Sequence, residues 1–198
     1  FWEAHEYIAK NFFWVNLDND FTLENILDKF KYLVKTKGVK ICVIDPFNKL
    51  EYRLGTGQTK LDYISQVLDK IIWFAKVNDV LVHLVAHPRK LEKDKEGKFP
   101  MPTMYDIAGS ADFWNKTDYG IAMSRKQDTN RVFINKGAIS IQKVKFKNLG
   151  EQGLVDHCYN FRNGRFEEDF QPNDPIVNES SIWDNHNWIT AKNIDPFN

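Results

Sequence analysis

Two residues at the ends of apolar runs are where this sequence can do chemistry. Ile41-Cys42-Val43-Ile44 ends in Asp45 and is stopped by Pro46, and the run from Val80 to Ala86, apolar apart from His83, ends at His87-Pro88. Continuous apolar runs of this length read as strands buried on both faces, and proline ends them because it lacks the ladder N–H. In open parallel sheets, ligands collect at the carboxyl ends of the strands. A carboxylate placed there can hold a hydrated Mg²⁺ through water, and an imidazole beside it can donate to a phosphate. Each residue also has a plainer role open to it. Asp45 can cap the turn that follows, and His87 can be satisfied by a backbone carbonyl.

Cations gather in three further places. The stretch from Pro46 to Lys60 carries Lys49, Arg53 and Lys60, and the stretch from Arg89 to Thr103 carries Arg89, Lys90, Lys93, Lys95 and Lys98. In the second, Glu92, Asp94 and Glu96 interleave with the lysines, as in an ordinary solvated loop. Lys143, Lys145 and Lys147 alternate, which on a strand puts them on one face, and a solvent face explains that equally well. Gly109-Ser110 reads as a turn that opens a short helix over Ala111-Asp112-Phe113-Trp114.

The elements that must position these residues follow from periodicity. Glu3 to Lys10 reads as the end of a helix, and Phe12-Phe13-Trp14-Val15 as a short strand. Leu23, Ile26, Leu27, Phe30, Leu33 and Val34 recur at helical spacing, with Thr22 to cap the start and Gly38 to close the end. A second helix after Thr59 puts Leu61, Ile64, Leu68, Ile71, Ile72 and Ala75 on one face. Strand alternating with helix predicts an α/β fold, with a mainly parallel central sheet flanked by helices and joined by right-handed crossovers. Ile121-Ala122-Met123 is a further short strand. Ile139 to Phe146 and Leu154 to Phe161 flank Asn148 to Gly153 as a C-terminal antiparallel hairpin.

With 198 residues, 42% of them hydrophobic and 14% aromatic, the chain can bury one substantial core, and a single globular unit over 1–168 is expected. Residues 169–198, acidic and polar with Trp183, Trp188 and Phe197, read as a tail or arm. Lys+Arg 27 balances Asp+Glu 27, so no global field points to a polyanion, and any such contact must be local. Cys42 and Cys158 fall in strand-like runs without metal-ligand spacing, which fits a reduced, intracellular setting. No membrane partner is expected, because no apolar run reaches the length of a span.

The order of these signals resembles one family. Ile41 to Asp45, Leu84-Val85-Ala86-His87-Pro88-Arg89-Lys90, Ile107-Ala108-Gly109-Ser110-Ala111, Asp118 to Arg125, and Lys145-Phe146-Lys147 before Gly150 and Gly153 look like the RecA-like ATPase core of the Twinkle and phage primase-helicase type, DnaB-like replicative DNA helicases. The His-Pro-Arg-Lys segment after a buried strand is the most specific piece. The resemblance covers roughly Phe12 to Phe166.

That resemblance implies an ATP-dependent (or other NTP-dependent) DNA helicase that moves on single-stranded DNA as a ring, a hexamer in this family. Asp45 corresponds to the Walker B aspartate, which organises Mg²⁺ on the nucleotide through water. His87 matches the residue that contacts the γ-phosphate. Asn115 stands where the family has a glutamine, a shorter amide here, and Arg125 and Phe161 fall where the bound base is flanked. Lys147, with Lys145 beside it, occupies the place of an arginine finger presented to the neighbouring subunit. Lysine there is a point charge without arginine's bidentate fork. The two cationic loops line the family's central channel, so six copies would concentrate their charge on one DNA strand. A bacterial or phage-infected cytoplasm is the expected setting, with mitochondria left open, as is an attached primase.

No Gly-x-x-x-x-Gly-Lys-Ser/Thr occurs, and Gly55-Thr56-Gly57-Gln58-Thr59-Lys60 has the wrong spacing. In the family the phosphate loop and the catalytic glutamate precede the first residue here, so this stretch alone is expected to bind nucleotide poorly and not to hydrolyse it. Two other readings share the fold: a different RecA-like ATPase of recombinase or circadian-clock-kinase type, and a non-catalytic interaction module.

Overall fold

A computed structural model describes residues 2–107, 109–128, 130, 132–160 and 164–168. Phe161 and the expected tail lie outside them. The chain divides into two compact units, Phe1–Arg89 with Ile107–Lys116, and Lys90–Asp106 with Thr117–Asn198.

The first unit is built from helices α1 (Trp2–Asn11), α2 (Leu23–Lys37), α3 (Lys60–Asn78) and α4 (Ser110–Lys116) and strands β1 (Ile41–Ile44) and β2 (Leu81–Leu84). Both long helices begin and end as their sequence dictates. Thr22 Oγ accepts the Asn25 N–H, and Gly38, at φ 70°, returns its N–H to Val34 O at 3.1 Å. At α3, Thr59 and Asp62 form a reciprocal capping box, with Thr59 N–H on Asp62 Oδ2 at 2.9 Å and Asp62 N–H on Thr59 Oγ at 3.2 Å. The buried stripe of α3 is Tyr63, Ile64, Val67, Leu68, Ile71 and Phe74. Leu61 and Ile72, expected inside, are exposed, because a stripe centred on Ile64, Leu68 and Ile71 leaves both at its margin.

β1 and β2 pair in parallel, Ile41 opposite Leu81 and Ile44 opposite Leu84. Cys42 and Ile44 are buried, whereas Ile41 and Val43 are 58% and 52% exposed. Burial on both faces was expected; among the described residues only one face is covered, because α3 packs on β2 and α2 on α3. Phe12–Val15 is not a strand. α1 runs on to Asn11, Trp14 is 92% exposed, and an apolar run becomes a strand only beside a neighbour that completes its ladder, which none of the described strands does.

The second unit is an antiparallel sheet of β3 (Tyr119–Gln127), β4 (Phe133–Val144), β5 (Gly153–Asn160) and β6 (Arg165–Glu167), in that spatial order. The expected hairpin is present as β4–β5, with Ile139 opposite Val155, and β3 and β6 widen it on either side. Met104, Ala138 and Cys158 form its core, and a Cβ at Gly120 would overlap Met104 Sδ, so the glycine is what lets Met104 seat. Gln142 pins the foot of the loop that runs to Thr103: its amide donates to Pro102 O at 2.7 Å and accepts the Met104 N–H at 3.1 Å.

Candidate functional site

In the first unit, the exits of β1 and β2 are tied together. Val85 N–H donates to Ile44 O at 2.9 Å, Phe47 N–H donates to Val85 O at 2.7 Å, and His87 N–H donates to Asn48 Oδ1 at 2.8 Å. Asp45 and His87 therefore leave the parallel pair at the same end, and both are exposed. Among the described residues, neither the Asp45 carboxylate nor the His87 imidazole has a hydrogen-bond partner. The capping and carbonyl-bound roles open to them are thus not the ones they take.

Asn48 was missed by sequence reasoning. Its signal is its place, a short amide right after a strand end, a residue type that bonds to nearby backbone rather than joining a ladder. Phe47 beside it anchors the same turn: it is 2% exposed and meets Phe113 of α4 edge-on at 5.2 Å. α4 is held against α3 by two devices. Gly109, at φ 83°, lets the chain turn where a Cβ would stand 2.9 Å from Ile64 Cδ1, and Lys116 Nζ reaches Asp69 Oδ1 and Ser65 Oγ, each at 2.7 Å. Asn115 rides exposed on that helix, so Asp45, His87 and Asn115 share one compact unit.

Among the described residues, no three His, Cys, Asp or Glu side chains are grouped to hold a metal ion. A single exposed carboxylate at a strand end fits a hydrated Mg²⁺ carried on the phosphates of a nucleotide, and not a resident metal held by the protein alone.

Arg125, Lys145 and Lys147 belong to the second unit. β4 ends at Val144, so Lys143, Lys145 and Lys147 do not share a strand face as alternation suggested; Lys147 opens a short 3-10 turn, Lys147–Leu149, closed by Leu149 N–H on Phe146 O. Lys145 is held by Asp118, through Nζ on Oδ1 at 2.6 Å and its own N–H on Asp118 O at 2.9 Å. Lys147 is exposed and makes no ion pair among the described residues.

Arg125 lies on a sheet face that holds an open pocket of about 370 Å³, bordered by Met123, Lys136, His157, Tyr159 and Phe166. Tyr159, an aromatic ring that sequence reasoning missed, lines the same pocket as Arg125.

The loop cations differ in how far they are engaged. Arg53 lies within 3.5 Å of Asp20 and Glu51, Lys60 sits over the Tyr52 ring, and Lys93 over that of Phe99. Lys98 pairs with Glu96, whose hydrogen bond raises its pKa above the ordinary lysine value. Lys49, Lys90 and Lys95 are exposed without an ion pair among the described residues, and Arg89 is exposed too.

Two parallel strands that lead to a carboxylate and a histidine, flanked by helices and followed in the chain by an antiparallel sheet, make this an α/β protein. No model of a known protein family matches the sequence. The Twinkle homolog protein, chloroplastic/mitochondrial, of Arabidopsis thaliana is 32% identical over 168 residues, 84% of this chain and 23% of that protein. The chain thus spans less than a quarter of that relative's length. In fold it is similar to a DnaB-like replicative helicase solved for its interactions with primase, with a TM-score of 0.57 at 20% identity over 74% of this chain and 34% of that one. It is also similar to a solved ATPase domain, with a TM-score of 0.59 at 20% identity over 76% of this chain and 52% of the other. The chain thus shares the fold of a DnaB-like replicative helicase, and over most of its own length its sequence is similar to part of the Twinkle homolog.

Proposed function

We propose that this chain is the part of an NTP-dependent replicative DNA helicase that orders the nucleotide's metal and γ-phosphate and follows one DNA strand. The observation that carries the reading is the tie between the β1 and β2 exits, which holds Asp45 and His87 at one strand end without spending either side chain. Asp45 orients the water shell of Mg²⁺, His87 contacts the γ-phosphate, and Asn115 reaches toward the same nucleotide from α4. Mg²⁺, when bound with the nucleotide, neutralises charge that develops on the phosphates. In the second unit, Arg125 and Tyr159 flank a pocket that takes a nucleotide base. Lys147 serves the nucleotide of a neighbouring subunit in a head-to-tail ring, a hexamer by family likeness. The loops 46–60 and 89–103 supply phosphate contacts to single-stranded DNA, chiefly through Lys49, Arg89, Lys90 and Lys95. A primase partner and an organellar setting are extensions from the two named relatives.

The test is single-strand-stimulated NTP hydrolysis by the full-length polypeptide beside residues 1–198 alone. Stimulated turnover in the first and none in the second supports the reading; no turnover in either, with DNA present, removes it. The restraint of Lys145 by Asp118 favours a second reading, a RecA-like interaction module without catalysis, and that is the outcome the second result selects.

A further inference from the structure

On the β3–β6 sheet, Arg125, Gly137 and His157 stand in one cross-strand row, Arg125 opposite Gly137 and Gly137 opposite His157. Tyr159 follows on the same face, opposite Phe166. The middle of the row has no side chain, and the imidazole leans into that space: a Cβ on Gly137 would lie 2.6 Å from His157 Nε2 and 2.8 Å from Ser124 O. Glycine is required there by close approach. Phe166 meets the His157 ring edge-on at 5.0 Å and the Tyr159 ring at 5.3 Å, so the imidazole is held between a glycine floor and an aromatic wall. Its Nδ1 is buried without a hydrogen-bond partner among the described residues, a deficit that folded proteins seldom leave without a reason.

We infer that His157 selects the base of the bound nucleotide, and that Gly137 is the clearance that lets it do so. The inference rests on the reading that Arg125 and Tyr159 flank the base. Stacking is blind to base identity, because every base has a π-face. Discrimination needs a polar group at the base edge that the wrong base leaves unpaired. Two of the other polar groups of this pocket are engaged with backbone: Arg125 donates to Ile134 O at 3.4 Å, and the Asn135 amide donates to Tyr159 O at 3.5 Å. His157 is the group with a nitrogen still to satisfy, and the pocket's volume lies in the range that holds small ligands.

The experiment measures kcat and KM of the full-length protein for ATP, GTP, CTP and UTP, each with single-stranded DNA. His157→Phe keeps a ring of similar size and removes both nitrogens. It is expected to raise KM for the preferred nucleotide and to shrink the best-to-worst ratio of kcat/KM by about tenfold. His157→Asn, whose amide falls near the position of Nδ1, should keep a base preference. If Tyr159→Ala raises KM for all four nucleotides while His157→Phe leaves their ratio unchanged, the base site stands and the role of His157 is overturned. If neither Tyr159→Ala nor Arg125→Ala moves any KM, the base is not bound here, and both the reading and the inference fall. A wild type without base preference also overturns the inference. Should turnover be absent, the same ratios of Kd by calorimetry decide it.

Discussion

The two units of this chain handle polar side chains in opposite ways. In the first, backbone and Asn48 do the tying, so that Asp45 and His87 are held in place while their own side chains stay unspent. In the second, the cations next to the expected chemistry are partly restrained: Asp118 holds Lys145, and Arg125 donates to Ile134 O. The difference teaches where a partner is needed. A parallel strand pair can position two groups from within one chain, because both strands end at the same edge. An antiparallel sheet sends its turns outward, and Lys147, exposed on such a turn, acts only on something brought to it.

Asp45→Ala is the harshest way to test that contrast. In the full-length protein it should reduce NTP turnover on the order of 100-fold or more, with binding to single-stranded DNA largely kept; normal turnover removes Asp45 from the mechanism. Next comes the pair in the second unit. Lys147→Ala is expected to lower turnover by at least about tenfold and to poison mixed rings with wild type, while Lys147→Arg keeps or raises it. Lys145→Ala should cost less, because Asp118 already holds that ammonium. Equal losses at the two positions, read in subunit-mixing assays, remove the distinction between them.

A smaller effect is expected at Asn48. Replacing it with Ala leaves the His87 N–H without its acceptor and should destabilise the first unit by about 1 kcal/mol, seen as a lowered Tm, with a larger proportional fall in turnover than in stability. A variant with full turnover breaks the argument that the tie positions His87. The smallest effect is with pH. Hydrogen bonds from the Thr22 hydroxyl and N–H hold the Asp20 pKa below the ordinary carboxylate value, and those from Thr59 do the same for Asp62. A carboxyl depressed in the folded state stabilises it above the unfolded pKa and loses that contribution as pH falls through the folded one. The caps of α2 and α3 should therefore weaken below about pH 4, and hydrogen exchange, corrected for intrinsic rates, should rise there before it rises in β3–β5. Thr59→Ala should flatten that dependence at α3.

Much of the first unit was legible because its signals are local. Thr22, Gly38 and the Thr59–Asp62 pair are chemistry between residues three or four apart, and the caps form where those residues stand. Asp45 and His87 were legible because an apolar run ends visibly in a polar residue. What escaped depends on partners distant in the chain. Phe12–Val15 has the composition of a strand, but composition does not supply a neighbour. Asn48 matters only because the His87 N–H lies beside it, 39 residues later. Phe161 lies outside the described residues, and only the folded sheet shows that Tyr159 lines the pocket that Arg125 shares. The segment Ile44-Asp45-Pro46-Phe47-Asn48 also recurs as Ile194-Asp195-Pro196-Phe197-Asn198, outside the described residues, so the letters alone did not mark the first copy as the site. Its packing did.

The central claim is that the tied strand ends make Asp45 and His87 act as one device on one nucleotide. A double-mutant cycle in NTP turnover of the full-length protein tests it, with Asp45→Ala, His87→Ala and both together. The account predicts that the double variant loses little more than the worse single one, because residues that act as a unit are strongly non-additive. Losses that multiply would show two groups working independently and would contradict it.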